Sequence, residues 1–247
     1  MNKIILYVIL FSSFNIAAQD WANLNRFTND NIKVLAQTEN ADRVVFMGNS
    51  MTEFWRPEFF KENTSFVNRG ISGQTTPQML LRFRQDVIDL SPSIVVILAG
   101  INDIARNTGP STIKMIADNI FSMAELAKTN NIEVILCSAL PANNFPWRQE
   151  IKPADKVIAL NSLIKEYAEK HDIKYVDYYS AMVNEEKGLR ADLGSDGVHP
   201  NAKGYTIMES IITKAISIPS FCSSMQFSWD RVSLTLERSW PSISPGL

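Results

Sequence analysis

Ser50 stands in "VVFMGNSMTEFW", residues 44–55, where a run of apolar residues ends on a small polar turn and continues into a helical pattern. A serine on a tight strand-to-helix turn exposes its hydroxyl and turns its own N–H toward whatever that hydroxyl attacks. Serine alone is a poor nucleophile and needs a base, usually histidine, oriented by a carboxylate. The chain has 2 histidines. His171, in "AEKHDIKY", sits at a polar helix end and reads as a solvated side chain. His199, in "SDGVHPNAKGY", follows Asp196 closely and is the candidate base, with Asp196 as its carboxylate. An oxyanion formed on attack needs preorganised donors. The Ser50 N–H, the Gly70 N–H and the Asn102 side-chain amide are available for that at the ends of apolar runs. Each residue taken alone has an ordinary alternative. Gly70 serves equally as a turn glycine and Asn102 as a turn cap, while Asp196 and His199 serve as a loop pair or as two ligands of an incomplete metal site.

These residues come together only if the chain places them on one edge of a sheet. Short apolar runs at 44–47, 65–68, 94–99, 133–139 and 173–177 alternate with longer helical patterns, which predicts five parallel strands with helices on both faces. In "STIKMIADNIFSMAELAKTNN" the residues Ile113, Ile116, Ile120, Met123 and Ala127 form one apolar stripe of a helix. Segments 76–90, 153–171 and 201–217 read the same way, with Thr76-Pro77 opening the first, and residues 20–40 read as a further helix outside the sheet. In a parallel sheet every strand ends on the same edge, where ligands bind, so Ser50, Gly70 and Asn102 fall beside one crevice.

The order of these blocks resembles the SGNH hydrolases, the GDSL family of esterases and lipases. "FMGNSMTEFW" is similar to the nucleophile block, "NRGISGQTT" to the glycine block, "LAGINDIA" to the Gly-x-Asn-Asp block and "DGVHPNAKGY" to the Asp-x-x-His block. The resemblance runs from about residue 44 to 217. It implies Ser50 as nucleophile, Gly70 and Asn102 as further oxyanion donors, and Asp196 and His199 as the rest of the triad. It also implies a flavodoxin-like, doubly wound three-layer α/β/α fold without cofactor or metal. One departure stands out: Asn49 replaces the aspartate of Gly-Asp-Ser.

The 247 residues are 45% hydrophobic, enough for one domain with a real core, and the net charge of −2 gives no footprint for nucleic acid or an anionic membrane. "MNKIILYVILFSSFNIAAQD" has a lysine, an apolar stretch and small residues before Gln19, so residues 1–19 read as a secretory signal and the protein as exported, periplasmic or extracellular. The domain then spans 20–218, and the serine-rich residues 219–247 form a tail, disordered or foreign to the natural product. Cys137 and Cys222 read as free thiols.

The long connection 141–152, "PANNFPWRQEIK", falls on the active edge. Phe145, Trp147 and Arg148, with Asn49 beside the nucleophile, are the candidate substrate contacts, the alternative for the aromatics being to pack the loop down. Phe54 and Trp55 read as packing residues at the helix start. An exported esterase with a polar and aromatic rim favours short acyl esters of carbohydrate over a lysophospholipid or thioester. The competing classes are a flavodoxin-like phosphate binder, using Ser50 and Thr52, and a glycan-binding protein without turnover.

Overall fold

The computed structural model describes residues 20–37 and 42–217. The secretory signal at 1–19, the tail at 219–247 with Cys222, and part of the helix expected over 20–40 lie outside the described residues.

In chain order the elements are α1 (Thr28–Ala36), β1 (Val44–Gly48), α2 (Ser50–Glu53), α3 (Pro57–Glu62), β2 (Phe66–Gly70), α4 (Thr76–Asp86), β3 (Ile94–Leu98), α5 (Ile101–Ile104), α6 (Ile113–Thr129), β4 (Glu133–Cys137), α7 (Ala154–Lys170), β5 (Lys174–Val176), α8 (Tyr178–Met182) and α9 (Ala202–Ser217), with a 3-10 turn at Ile88–Leu90. The side chains of Val44 to Met47, Val95 to Leu98 and Val134 to Cys137 are buried without alternation. That is the pattern of strands covered on both faces. The five strands are all parallel and lie in the order β2-β1-β3-β4-β5. The chain reverses its direction of winding at β1, so a crevice opens between the C-terminal ends of β1 and β3. Register puts Gly48 level with both Gly70 and Leu98, which brings the turns after all three strands to that opening.

Helices α4, α6 and α7 pack side by side on one face. The other face carries α3 and α9, and α9 is held to the segment leading into α3 through the Arg56 guanidinium on Glu209 and through Trp55 Nε1 on Glu209 Oε1 at 3.1 Å. The stripe expected on α6 is the buried one, from Ile116 through Ile120 and Met123 to Ala127, and Thr112 Oγ1 caps the helix by accepting from Met115 N at 3.1 Å. Among the described residues no helix is long and apolar enough to cross a membrane.

Several boundaries differ from the sequence reading, among them the end of α4, expected at residue 90 and found at Asp86 ahead of the 3-10 turn. The strands β1 and β2 run on through their glycines, since the sheet pairs Gly48 with Gly70. Helix α4 takes Thr75 as its N-cap, its N–H on Gln78 Oε1 at 3.0 Å, because the Thr76 hydroxyl and N–H are both spent on Asp103. The helix expected from residue 20 begins only at Thr28. Asp20 bends residues 20–25 into turns by accepting from Leu24 N and Asn25 N, and Asn23 is left-handed at φ 56°.

Candidate active site

The turn that carries Ser50 is built by β1 running into α2. Asn49 is the N-cap, and its Oδ1 accepts from Met51 N at 3.0 Å. An amide oxygen fills that role as a carboxylate would, without adding a charge beside Ser50. Asn49 is therefore a buried capping residue, and its assignment as a substrate contact is corrected.

Ser50 Oγ lies 3.0 Å from His199 Nε2, and His199 Nδ1 lies 2.6 Å from Asp196 Oδ2. A carboxylate can only accept, so Nδ1 carries the proton and Nε2 is left to accept from the Ser50 hydroxyl. Asp196 Oδ1 also takes the backbone N–H groups of His199 at 2.7 Å and Val198 at 2.9 Å. Partial burial pushes the Asp196 carboxyl up, but these donors outweigh it and hold it below the ordinary value. Tyr205 on α9 donates its hydroxyl to the Met51 carbonyl at 3.0 Å, which ties the helix after His199 to the turn that bears Ser50. Nothing in the sequence marks Tyr205 as more than an apolar-face residue of α9.

Asn102 lies in the short helix α5 that follows β3, and its Nδ2 donates to the Gln74 carbonyl at 3.0 Å, which draws the loop after β2 across to it. Gly70 does not offer its N–H to this opening. That group donates to Asn68 Oδ1 at 2.8 Å, and a Cβ on Gly70 would lie 2.1 Å from Glu53 N. Gly70 is the point where β2 touches the backbone of α2, and its assignment as an oxyanion donor is corrected. Further along the loop, Ile71 N is spent on Gly48 O, Ser72 N on Glu53 Oε2 and Gln74 N on Ile71 O. Among the described residues the Gly73 N–H has no acceptor, nor has the Ser50 N–H. Gly73 holds φ 77°, and a Cβ there would meet only Asn107 Nδ2, at 4.0 Å. The Ser-Gly step before Gln74 is a turn signal in the sequence that could have pointed to it.

The loop is braced from below by Arg82, which is fully buried. Its Nε donates to Gln74 Oε1 at 2.6 Å, one nitrogen to Asp86 Oδ2 at 3.1 Å, and the other to the carbonyls of Gly48 and Arg69. One guanidinium thus joins the ends of β1 and β2 to the loop. Burial lowers Arg82 to about 10, against the pull of Asp86, so it stays charged at neutral pH.

A family model for the GDSL-like lipases and acylhydrolases matches residues 37–207. The chain belongs to this family. A GDSL-like lipase from Bacteroides thetaiotaomicron VPI-5482 has the same fold at 51% identity and a TM-score of 0.75, over 79% of this chain and 97% of that one. The acetylxylan esterase of Xylanibacter ruminicola is 24% identical over 223 residues, 73% of this chain and 44% of that protein. The chain spans less than half the length of the curated relatives it matches. An acetylxylan esterase from Geobacillus stearothermophilus shares the fold at 21% identity and a TM-score of 0.60, over 73% of this chain and 96% of that one.

The rim of this GDSL-like site differs from the sequence reading. Phe145 is wholly buried, with its ring 5.4 Å beneath that of Trp147, so it supports the rim and its assignment as a substrate contact is corrected. Arg148 spends one guanidinium nitrogen on the carbonyls of Ala105 and Arg106, clamping loop 141–152 to the end of α5. Trp147 itself is 49% exposed with its ring 6.3 Å from that of His199. Phe54, expected to pack inward, is instead 55% exposed and 6.0 Å from the same imidazole. Trp55 beside it is buried against Phe46, Phe59 and Tyr205.

Proposed function

We propose that this chain is an exported serine esterase that removes short acyl groups, acetyl above all, from carbohydrate. The observation that carries the reading is the relay from Ser50 Oγ through His199 to Asp196, at 3.0 and 2.6 Å, in the crevice at the reversal of the sheet. The family membership and the acetylxylan esterases among its relatives support it.

In the proposed reaction the Ser50 oxygen bonds to the ester carbonyl carbon while its proton passes to His199 Nε2. The carbonyl oxygen becomes an oxyanion held by the Ser50 N–H, Asn102 Nδ2 and the Gly73 N–H, which takes the place given to Gly70. The carbon–oxygen bond to the alcohol then breaks, and His199 returns the proton to that oxygen. Water attacks the acyl-enzyme, again losing a proton to His199, and the acid leaves as Ser50 recovers its hydrogen. Asp196 keeps the imidazole oriented and in the right tautomer throughout. Trp147 and Phe54, flanking His199, border the space the leaving alcohol occupies. A flat aromatic border suits a sugar ring better than a flexible chain.

The test is hydrolysis of p-nitrophenyl acetate, butyrate and octanoate. Turnover is expected to be highest on acetate and to fall with chain length. Preference for octanoate would favour a lysophospholipase or thioesterase, and no turnover of any of the three would contradict the esterase reading.

A further inference from the structure

The turns that precede α1 are sewn to α4 and to the loop before it. Gln74 Nε2 donates to the Ala22 carbonyl at 2.7 Å, Gln78 Nε2 to that of Trp21 at 2.6 Å and Gln85 Nε2 to that of Leu24 at 2.5 Å. The strap so formed leaves a cleft of about 360 Å³ between itself and residues 71–74, the loop that carries Gly73. That volume lies at the small end of ligand pockets, which run from about 300 to 1,000 Å³. It suits one ring rather than a long chain.

The chemistry of the walls is specific. Trp21 presents an indole that is 48% exposed. Among the described residues the Asn23 carboxamide and the Ser72 hydroxyl have no partner, while Asn107 spends Nδ2 on the Gly73 carbonyl at 3.0 Å and keeps its oxygen available. Among the described residues no lysine or arginine lines the cleft, and the one carboxylate there, Asp20, already accepts from Leu24 N and Asn25 N. An anionic headgroup would find no cation here, and an acyl chain would leave these polar groups unpaired. A neutral sugar fits both features. Its C–H faces stack on the electron-rich face of an indole, and its hydroxyls both donate and accept as the carboxamides and the Ser72 hydroxyl require.

We propose that this cleft is a saccharide subsite, holding a neutral sugar ring of the substrate against Trp21 beside the loop that bears Gly73. That the sugar belongs to a substrate rests on the esterase reading above. With Trp147 and Phe54 at the reacting end, the protein then has two aromatic platforms, and an oligosaccharide engages both.

Calorimetric titration of the full chain with unacetylated xylotriose, cellotriose and mannotriose tests the subsite without turnover. At least one trisaccharide is expected to bind; Trp21→Ala is expected to weaken it about tenfold. Trp21→Phe, which keeps a ring in place, is expected to restore most of the affinity, and an unchanged melting temperature in both variants shows that the strap has stayed docked. Absence of binding by all three sugars, or equal binding by wild type and Trp21→Ala, overturns the proposal. Hydrolysis of p-nitrophenyl acetate by the same preparation separates the two claims. Binding through Trp21 with no hydrolysis leaves the subsite standing and removes the esterase, and hydrolysis with no sugar binding does the reverse.

Discussion

The assignments meet their first test in single side chains. Ser50→Ala is expected to reduce p-nitrophenyl acetate turnover by up to about 10⁶, and Asn102→Ala by roughly 10²–10³, because one removes the attacking atom and the other a single oxyanion donor. Equal and small losses in the two variants would break the assignment. Asp103, next to Asn102, gives a separate signal in stability. Burial raises its carboxyl to about 6 even though Thr76 donates its N–H and hydroxyl to it. A carboxyl whose folded value lies above its unfolded one adds stability that is full below about pH 4 and is lost as pH rises through about 6, on the order of 3 kcal/mol in all. Urea unfolding from pH 4 to 7 should show wild type losing ground to Asp103→Asn over that window; parallel curves would contradict the raised carboxyl. That Ser50, His199 and Asp196 meet, with Asn102 just after β3, was legible in the sequence because the proposed chemistry demands those residue types. The Ser-Gly turn signal marks Gly73 without settling the choice between it and Gly70, since which N–H is left free depends on Asn68 accepting from Gly70 N and Glu53 from Ser72 N.

Whole elements decide whether those side chains converge. The end of β2, the start of α2 and the loop before α4 are locked by Gly70 against Glu53 N and by Arg82 across Gly48, Arg69 and Gln74. A methyl at residue 70 meets backbone rather than a movable side chain, so Gly70→Ala is expected to cost about 1–3 kcal/mol in denaturant unfolding. An unaltered midpoint would show that the two elements are not in the contact described. Arg82→Leu leaves the buried Asp86 without its cation, and a loss of about 3–5 kcal/mol is expected from the same measurement. The five strands, their parallel direction and the helices α4, α6, α7 and α9 could be read from apolar runs and periodicity, but the order of the strands could not. Nor could the strap. Residues 20–27 owe their path to Asp20 and to carbonyls that accept from three distant glutamines, and no local pattern encodes such pairings. The exposed ring of Phe54 and the buried ring of Phe145 were exchanged for a related reason: an aromatic in a turn shows its hydrophobicity in the sequence but not the side to which the backbone directs it.

Across the molecule, the sheet forms a continuous apolar interior with the polar relay on one edge. Cys137 lies at the end of β4 inside that interior, and burial pushes its thiol up to about 12. It is expected to resist thiol reagents at pH 8 until the chain is unfolded, so peptide mapping after labelling reports global opening; rapid modification of Cys137 in native buffer would contradict the packing of β4. The central claim is that Ser50 is an activated nucleophile with His199 as its base. Its most direct measurement is mass spectrometry of the intact protein and its peptides after exposure to a fluorophosphonate. A single adduct on the peptide carrying Ser50, absent in Ser50→Ala and formed far more slowly in His199→Ala, is the result the account predicts. An adduct on another serine, or an unlabelled Ser50 in a preparation that still hydrolyses p-nitrophenyl acetate, would contradict it.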